Sequence, residues 1–206
     1  MADPRLTRIA GALAAHPPRR YPRSPDLGEA AVTLMLRPRA DLELLLIERT
    51  HRSDDPWAGH MALPGGRRDP GDPDLVTTAF RETHEEVGVR LDPASHLLGE
   101  LDEVLPRSRH LPPLVISPFV AAADPDQPLV PDPVEVATAL WVPLGALRDE
   151  GAASEVVVPF EGTRVAFPSF RYRGYEIWGL THRILMRFLE LAGDEGGSGR
   201  TAVTPR

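Results

Sequence analysis

The chain has 206 residues, 42% hydrophobic and 26% charged, which is enough for one good-sized core and gives it the composition of an ordinary globular domain. Without a cysteine it can form no disulfide, thiolate metal site or cysteine nucleophile. Its 30 acidic against 23 basic residues, a net charge of −7, argue against binding nucleic-acid backbones, and no apolar run approaches the roughly 20 residues that span a bilayer.

The segment Met1–Arg20 lacks a continuous apolar core and a cleavage site, and the C-terminal Thr201–Arg206 carries no retention or peroxisomal signal, so a cytoplasmic location is expected. Leu6, Ile9, Ala10 and Leu13 recur at helical spacing and predict a short amphipathic helix closed by Pro17 and Pro18. Arg19 and Arg20 read as part of a solvated linker. Glu29–Leu36 and Leu42–Ile47 predict paired strands, the second largely buried. Glu48–Ala62 is rich in charge and turn residues and runs into a Pro-Gly-Gly turn, so it should wall a site. A helix follows from about Pro73 to Val87, ended by Gly88, a residue suited to the left-handed conformation that closes helices. His96–Asp102 and Leu114–Ala122 read as strands, and the Glu103–Pro113 loop between them is a candidate substrate-facing segment. Ala139–Leu147 predicts a strand end running into a short helix, and Glu155–Pro159, Arg164–Phe167 and Tyr175–Trp178 predict short strands. Thr181 is placed to cap a last helix, His182–Leu191, striped by Ile184, Leu185, Phe188 and Leu189. From Gly193 onward the composition is that of a flexible tail. The apolar stripes of the first and last helices suit either internal packing or a homodimer surface. Mixed strands with flanking helices predict an α/β layered domain.

Chemistry concentrates near the C-terminal end of the Pro73–Val87 helix, at Arg81, Glu82, Glu85 and Glu86. At about 100° per residue, Glu85 falls about 60° to one side of Glu82 and Glu86 about 40° to the other. Three carboxylates on one face repel each other and oppose the helix dipole, which favours cations at this end. A hard divalent cation with oxygen ligands answers that charge. His84 falls on another face and reads as structural.

The pattern Gly66 … Arg81-Glu82-x-x-Glu85-Glu86-x-Gly88-Val89 resembles the Nudix box. Two departures mark it: Asp72 stands where the box usually has glutamate, and one extra residue separates Asp72 from Arg81. With Leu63-Pro-Gly-Gly66 and the Asp69-Pro-Gly-Asp72 loop, that insertion resembles the coenzyme A pyrophosphatase branch of the family. Phe167–Tyr172, Ile177–Leu185, Glu135-Val136 and Trp141–Leu144 are similar to later segments of that branch. Upstream, Arg49-Thr50 and Gly59–Gly66 fit, while Asp55 falls where the branch would have arginine.

The resemblance implies an α/β/α sandwich around a mixed sheet, with a helix and linker at 1–24, the Nudix hydrolase domain at 25–192 and a tail at 193–206. It implies hydrolysis, dependent on Mg²⁺ or Mn²⁺, of the pyrophosphate of a small nucleotide substrate, coenzyme A or acyl-coenzyme A, to 3′,5′-ADP and (acyl-)4′-phosphopantetheine. ADP-ribose or another nucleoside diphosphate derivative is the alternative substrate, and a nucleotide-sensing module without catalysis the rival outside enzymes. Glu82, Glu85 and Glu86 would bind the metal with the carbonyl of Gly66, and Arg81 would orient a carboxylate. Glu135 is the candidate base outside the box, ahead of Asp102 and Glu103. Arg49, Arg52, Arg67, Arg68, Arg107 and Arg109 flank the site as candidates for a 3′-phosphate. Trp57 would stack on a base or simply pack.

Overall fold

The N-terminal periodicity becomes helix α1, Pro4–Ala14, with Leu6, Ile9 and Leu13 buried. The computed structural model describes residues 3–51, 57–106, 113–160 and 163–193, so Arg52, Asp55, Arg107, Arg109 and the tail from residue 194 lie outside the described residues. The two apolar runs form β1, Gly28–Pro38, and β2, Leu42–Arg49, paired antiparallel with Leu36 opposite Leu44. β3 (Met61–Ala62) and β4 (Gly65–Arg67) are short; α2 (Leu75–Val87), α3 (Pro93–His96), β5 (Leu97–Glu100), β6 (Leu114–Ala122), β7 (Val136–Pro143) and α4 (Leu144–Arg148) follow.

These strands make one seven-stranded mixed sheet, ordered β3-β2-β1-β6-β5, with β4 added on β1 and β7 on β2. β1 runs parallel to β6 from Gly28 opposite Leu114 to Leu36 opposite Ala122. β1 and β2 pair only near Leu36–Pro38 and then diverge. The Met61–Arg67 segment fills the wedge between them: β3 pairs with β2, and β4 pairs with β1 at Ala30, Ala31 and Val32. The turn between β3 and β4 is thereby held inside the sheet, with the Thr33 amide donating to the Pro64 carbonyl.

Strand alternation assigns the two faces. Leu34 and Leu36 join Leu6, Ile9, Leu13, Ile184, Leu185 and Phe188 in the main core on one side. Ala31 packs with Ala79, Phe80, Phe119 and Ala121 under α2 on the other. The result is an α/β/α sandwich. β8 (Ala153–Phe160), β9 (Thr163–Tyr172) and β10 (Tyr175–Trp178) form a separate antiparallel sheet, and α5 is Gly179–Ala192. The apolar stripes of α1 and α5 are spent inside this core.

Two expectations change. Thr181 does not cap the last helix: α5 starts at Gly179, directly after β10, and the Thr181 hydroxyl donates to the Met61 carbonyl. Arg19 and Arg20 are exposed, yet each is ion-paired, with Asp102 and Glu100 respectively. No helix among the described residues is long and apolar enough to cross a membrane.

Candidate active site

Helix α2 is set in phase by its own sequence. The Asp74 side chain caps its first turn by accepting from the Thr77 amide, and Gly88 closes it at φ 74°. Thr83 Oγ1 lies 2.8 Å from Thr33 Oγ1, whose hydroxyl donates to the Ala79 carbonyl; all three residues are fully buried. With Ala79 and Phe80 seated on the sheet, Glu82 and Glu86 are turned toward the wedge between β1 and β2, and Glu85 toward solvent.

Glu86 is 1% exposed. The Gly65 amide donates to its Oε2 at 2.8 Å, and Arg49 Nη1 stands 3.6 Å from Oε1. Burial pushes its pKa up to about 8; the Gly65 amide and Arg49 oppose that, and the charges of Glu82 and Glu135 add to it. Glu82 is also raised by burial, against the pull of Arg81. Its carboxylate rests on bare backbone: a Cβ placed on Gly66 would sit 2.5 Å from Glu82 Cδ. Gly65 lies just as close to strand β1, where a Cβ would meet the Ala31 carbonyl oxygen at 2.2 Å. The Pro-Gly-Gly turn thus does two jobs that a side chain would prevent.

Arg81 sits at the centre of the polar contacts. Its Nη1 donates to Glu82 Oε1 at 2.9 Å and to Glu85 Oε2 at 2.8 Å; its Nε and Nη2 fork onto the two oxygens of Asp72, and Nη2 also reaches the Arg67 carbonyl. Asp72 itself accepts from the Asp69 amide and the Thr78 hydroxyl. Arg81 first, and those two donors after it, bring its pKa down to about 2 despite burial. The sequence reading noted Asp72 only as a departure from a pattern. Its pairing across nine residues with Arg81 makes it the anchor of the site.

Glu135 is exposed, but its segment is tied to the end of α2: the Asp132 amide donates to the Glu86 carbonyl, and the Thr50 amide to that of Glu135. Its charge reaches both Glu82 and Glu86. Of the flanking arginines, Arg49 faces Glu86, and Arg67 is exposed at the end of β4. Arg68 is engaged structurally, with Glu29 and with the carbonyls of Asp72 and Pro73. Trp57 is half-buried, and its carbonyl accepts from the His60 amide. Asp102 and Glu103, the weaker candidates for a base, are spent elsewhere. Burial would raise both, but Arg19 holds Asp102 low, and Arg23, the Tyr21 amide and Ser117 hold Glu103 low.

The three helix glutamates do not make a ready cage. Among the described residues no three acidic or histidine side chains are grouped to hold an ion, and an oxygen of Glu82 and one of Glu85 are taken up by the same Arg81 nitrogen. What the arrangement does offer is an all-oxygen donor set. Burial pushes Glu86 and Glu82 toward neutrality against the pull of Arg49 and Arg81, beside a glycine backbone with no side chain in the way. A hard divalent cation fits that chemistry.

Comparison with known proteins agrees with the geometry. A family model described as NUDIX domain matches residues 27–159. The chain is 32% identical over 160 residues, 76% of its length and 75% of the other, to an uncharacterized Nudix hydrolase NudL of Yersinia pestis. It is 43% identical over 107 residues to an uncharacterized protein of Schizosaccharomyces pombe, half of this chain but only 32% of that longer one. Among solved structures it is similar to a MutT/nudix family protein from Enterococcus faecalis, with a TM-score of 0.57 at 18% identity, covering 82% of this chain and 63% of that one.

Proposed function

The chain belongs to the Nudix family, and from that premise we propose that it is a metal-dependent pyrophosphohydrolase of coenzyme A or acyl-coenzyme A. Membership supports the reaction class, hydrolysis of nucleoside diphosphate derivatives, for which the family generally uses Mg²⁺ or Mn²⁺. The observation that carries the reading is the under-compensated pair Glu82 and Glu86 against the Gly65-Gly66 backbone, with Arg81 as their organiser. The coenzyme A assignment draws on the sequence: Leu63–Gly66, the longer loop to Arg81 and Ile177–Leu185 resemble that branch.

In this mechanism Glu82, Glu85, Glu86 and the Gly66 carbonyl would hold the metal. The bound cation supplies Lewis-acid polarisation of the pyrophosphate and a water of lowered pKa. Arg81, pinned by Asp72, keeps Glu82 in place. Glu135, held at the mouth of the site, takes the proton of the attacking water. Water adds to one phosphorus, the bridging P–O bond breaks, and 3′,5′-ADP leaves from (acyl-)4′-phosphopantetheine. Arg49, Arg67 and Trp57 line the approach for the nucleotide.

The test is incubation with Mg²⁺, and separately Mn²⁺, of coenzyme A, acetyl-coenzyme A, ADP-ribose and a dinucleotide, with products separated by chromatography. Release of 3′,5′-ADP from the coenzyme A compounds is expected. AMP from ADP-ribose with coenzyme A untouched would replace the substrate and keep the chemistry. Tight nucleotide binding with no product in any tube would leave a sensing module.

A further inference from the structure

The loop that carries Asp72 has little apolar packing of its own. Asp69, Pro70, Gly71, Pro73 and Asp74 are all exposed. Yet Asp72 fixes Arg81, and Arg81 fixes Glu82, so the loop must be held by polar contacts. Following these outward leads away from the site. Arg68 donates through Nη2 to the carbonyls of Asp72 and Pro73, and through Nη1 to Glu29 Oε2 at 2.8 Å. The other oxygen of Glu29 accepts from Arg23 Nε at 2.7 Å. The remaining fork of Arg23 grips both oxygens of Glu103. Glu103 is 5% exposed and further fixed by the Ser117 hydroxyl on β6 and by the Tyr21 amide.

We propose that Tyr21–Arg23 is a strap that positions the active site, with Arg23 acting through Glu29 and Arg68 to set the loop that carries Asp72 and, through it, Arg81 and Glu82. The proposal rests on the reading of α2 as the catalytic helix. Single ion pairs this close to solvent contribute little to stability. A chain of forked pairs anchored on one buried carboxylate is different, because each member is located by two partners instead of one. Arg23, Glu29 and Arg68 have side chains between 22% and 36% exposed, while Glu103 at the far end is closed off at 2%. The anchor is therefore in the body of the sheet, and the other end of the chain of pairs is the loop that carries Asp72. None of these residues touches the reacting atoms; they are positioning residues.

The test compares Arg23→Ala and Glu29→Ala with Arg23→Lys, Glu29→Gln and the double alanine variant, using Arg39→Ala, which removes an unrelated surface pair with Asp126, as control. Three quantities are read: kcat and KM for the nucleotide substrate, Mn²⁺ dissociation constant by electron paramagnetic resonance without substrate, and melting temperature. The alanine variants are expected to lose about 2- to 30-fold in kcat and to weaken Mn²⁺ by a similar factor, with KM nearly unchanged. The conservative variants recover part of that loss, and the double variant is no worse than Glu29→Ala, because the two residues act in one chain. A fall in melting temperature alone, with kcat and Mn²⁺ affinity unchanged where the variants are folded, overturns the strap; so does strict additivity. If the wild-type protein hydrolyses none of the substrates, the proposed reaction fails, and the Mn²⁺ titration still decides the strap. A wild-type protein that binds no Mn²⁺ overturns both.

Discussion

Glu86 is a carboxylate whose burial is not matched by positive charge, and this gives it a measurable signature. Its folded pKa, about 8, lies above the ordinary 4.5. The folded state therefore keeps a proton that the unfolded state has released, and without metal it loses stability as pH rises from about 4.5 to 8. Glu86→Gln removes that penalty. The metal-free variant should melt higher than the wild type at pH 8 and show little difference at pH 4, while turnover falls by roughly 100-fold or more. Thermal unfolding at the two pH values and a product assay check both halves; retained turnover would remove Glu86 from the metal set. Gly66→Ala tests the bare backbone beneath Glu82. A methyl group 2.5 Å from the carboxyl carbon forces Glu82 aside, so activity should collapse while stability, read by urea unfolding, falls only slightly, because the displaced group is the movable end of a side chain. The spacing of Glu82, Glu85 and Glu86 was legible as one helix face. That one Arg81 nitrogen would hold both Glu82 and Glu85 was not, because this depends on where a distant aspartate places the guanidinium.

At the scale of elements, the α2 unit is legible where local rules act alone. Gly88 as terminator, the apolar run of β1 and the presence of three strands in the second sheet all follow from pattern. The wedge of β3 and β4 does not: a two-residue and a three-residue strand carry no periodicity, and their place depends on β1 and β2 diverging. Thr181 failed as a cap for a similar reason, since the helix began three residues earlier than expected and the hydroxyl had a tertiary use. The loop before α2 depends on Asp72, whose pKa of about 2 is well below its ordinary 3.8. A depressed carboxylate contributes stability above its unfolded pKa and loses it as pH falls toward the folded value. Asp72→Asn should therefore flatten acid unfolding between about pH 4 and 2, seen by far-ultraviolet circular dichroism, and lower kcat at neutral pH. Thr83→Val should loosen α2 from β1 at a cost of about 1–3 kcal/mol, because the buried Thr33 oxygen keeps no donor from the helix.

For the whole molecule, an α/β layered domain was visible in the order of elements, and the family, with the α/β/α sandwich it implies, in the residues of one loop and helix. The role of Arg19–Arg23 was not, because a run of arginines in sequence looks the same whether it faces water or acids 80 residues away. Binding of Mg²⁺ to the folded state alone should raise the melting temperature with concentration by mass action. The rise should vanish in Glu86→Gln; an equal rise in both proteins would place the ion elsewhere.

The pairing of β1 with β6 has one more consequence, for synthesis. β1 leaves the ribosome early, yet its parallel neighbour begins only at Leu114, after β2 to β5 and α2 have all emerged. Until then the long edge of β1, with Leu34 and Leu36 in its apolar run, has no partner. Such distant pairing is slow to form. The nascent chain thus carries an exposed, sticky strand through the middle of its translation, and chaperone demand should peak there: ribosome-bound chains that stop before Leu114 should aggregate on release more than chains that include Ala122, and chains that also include α5 should remain dispersed.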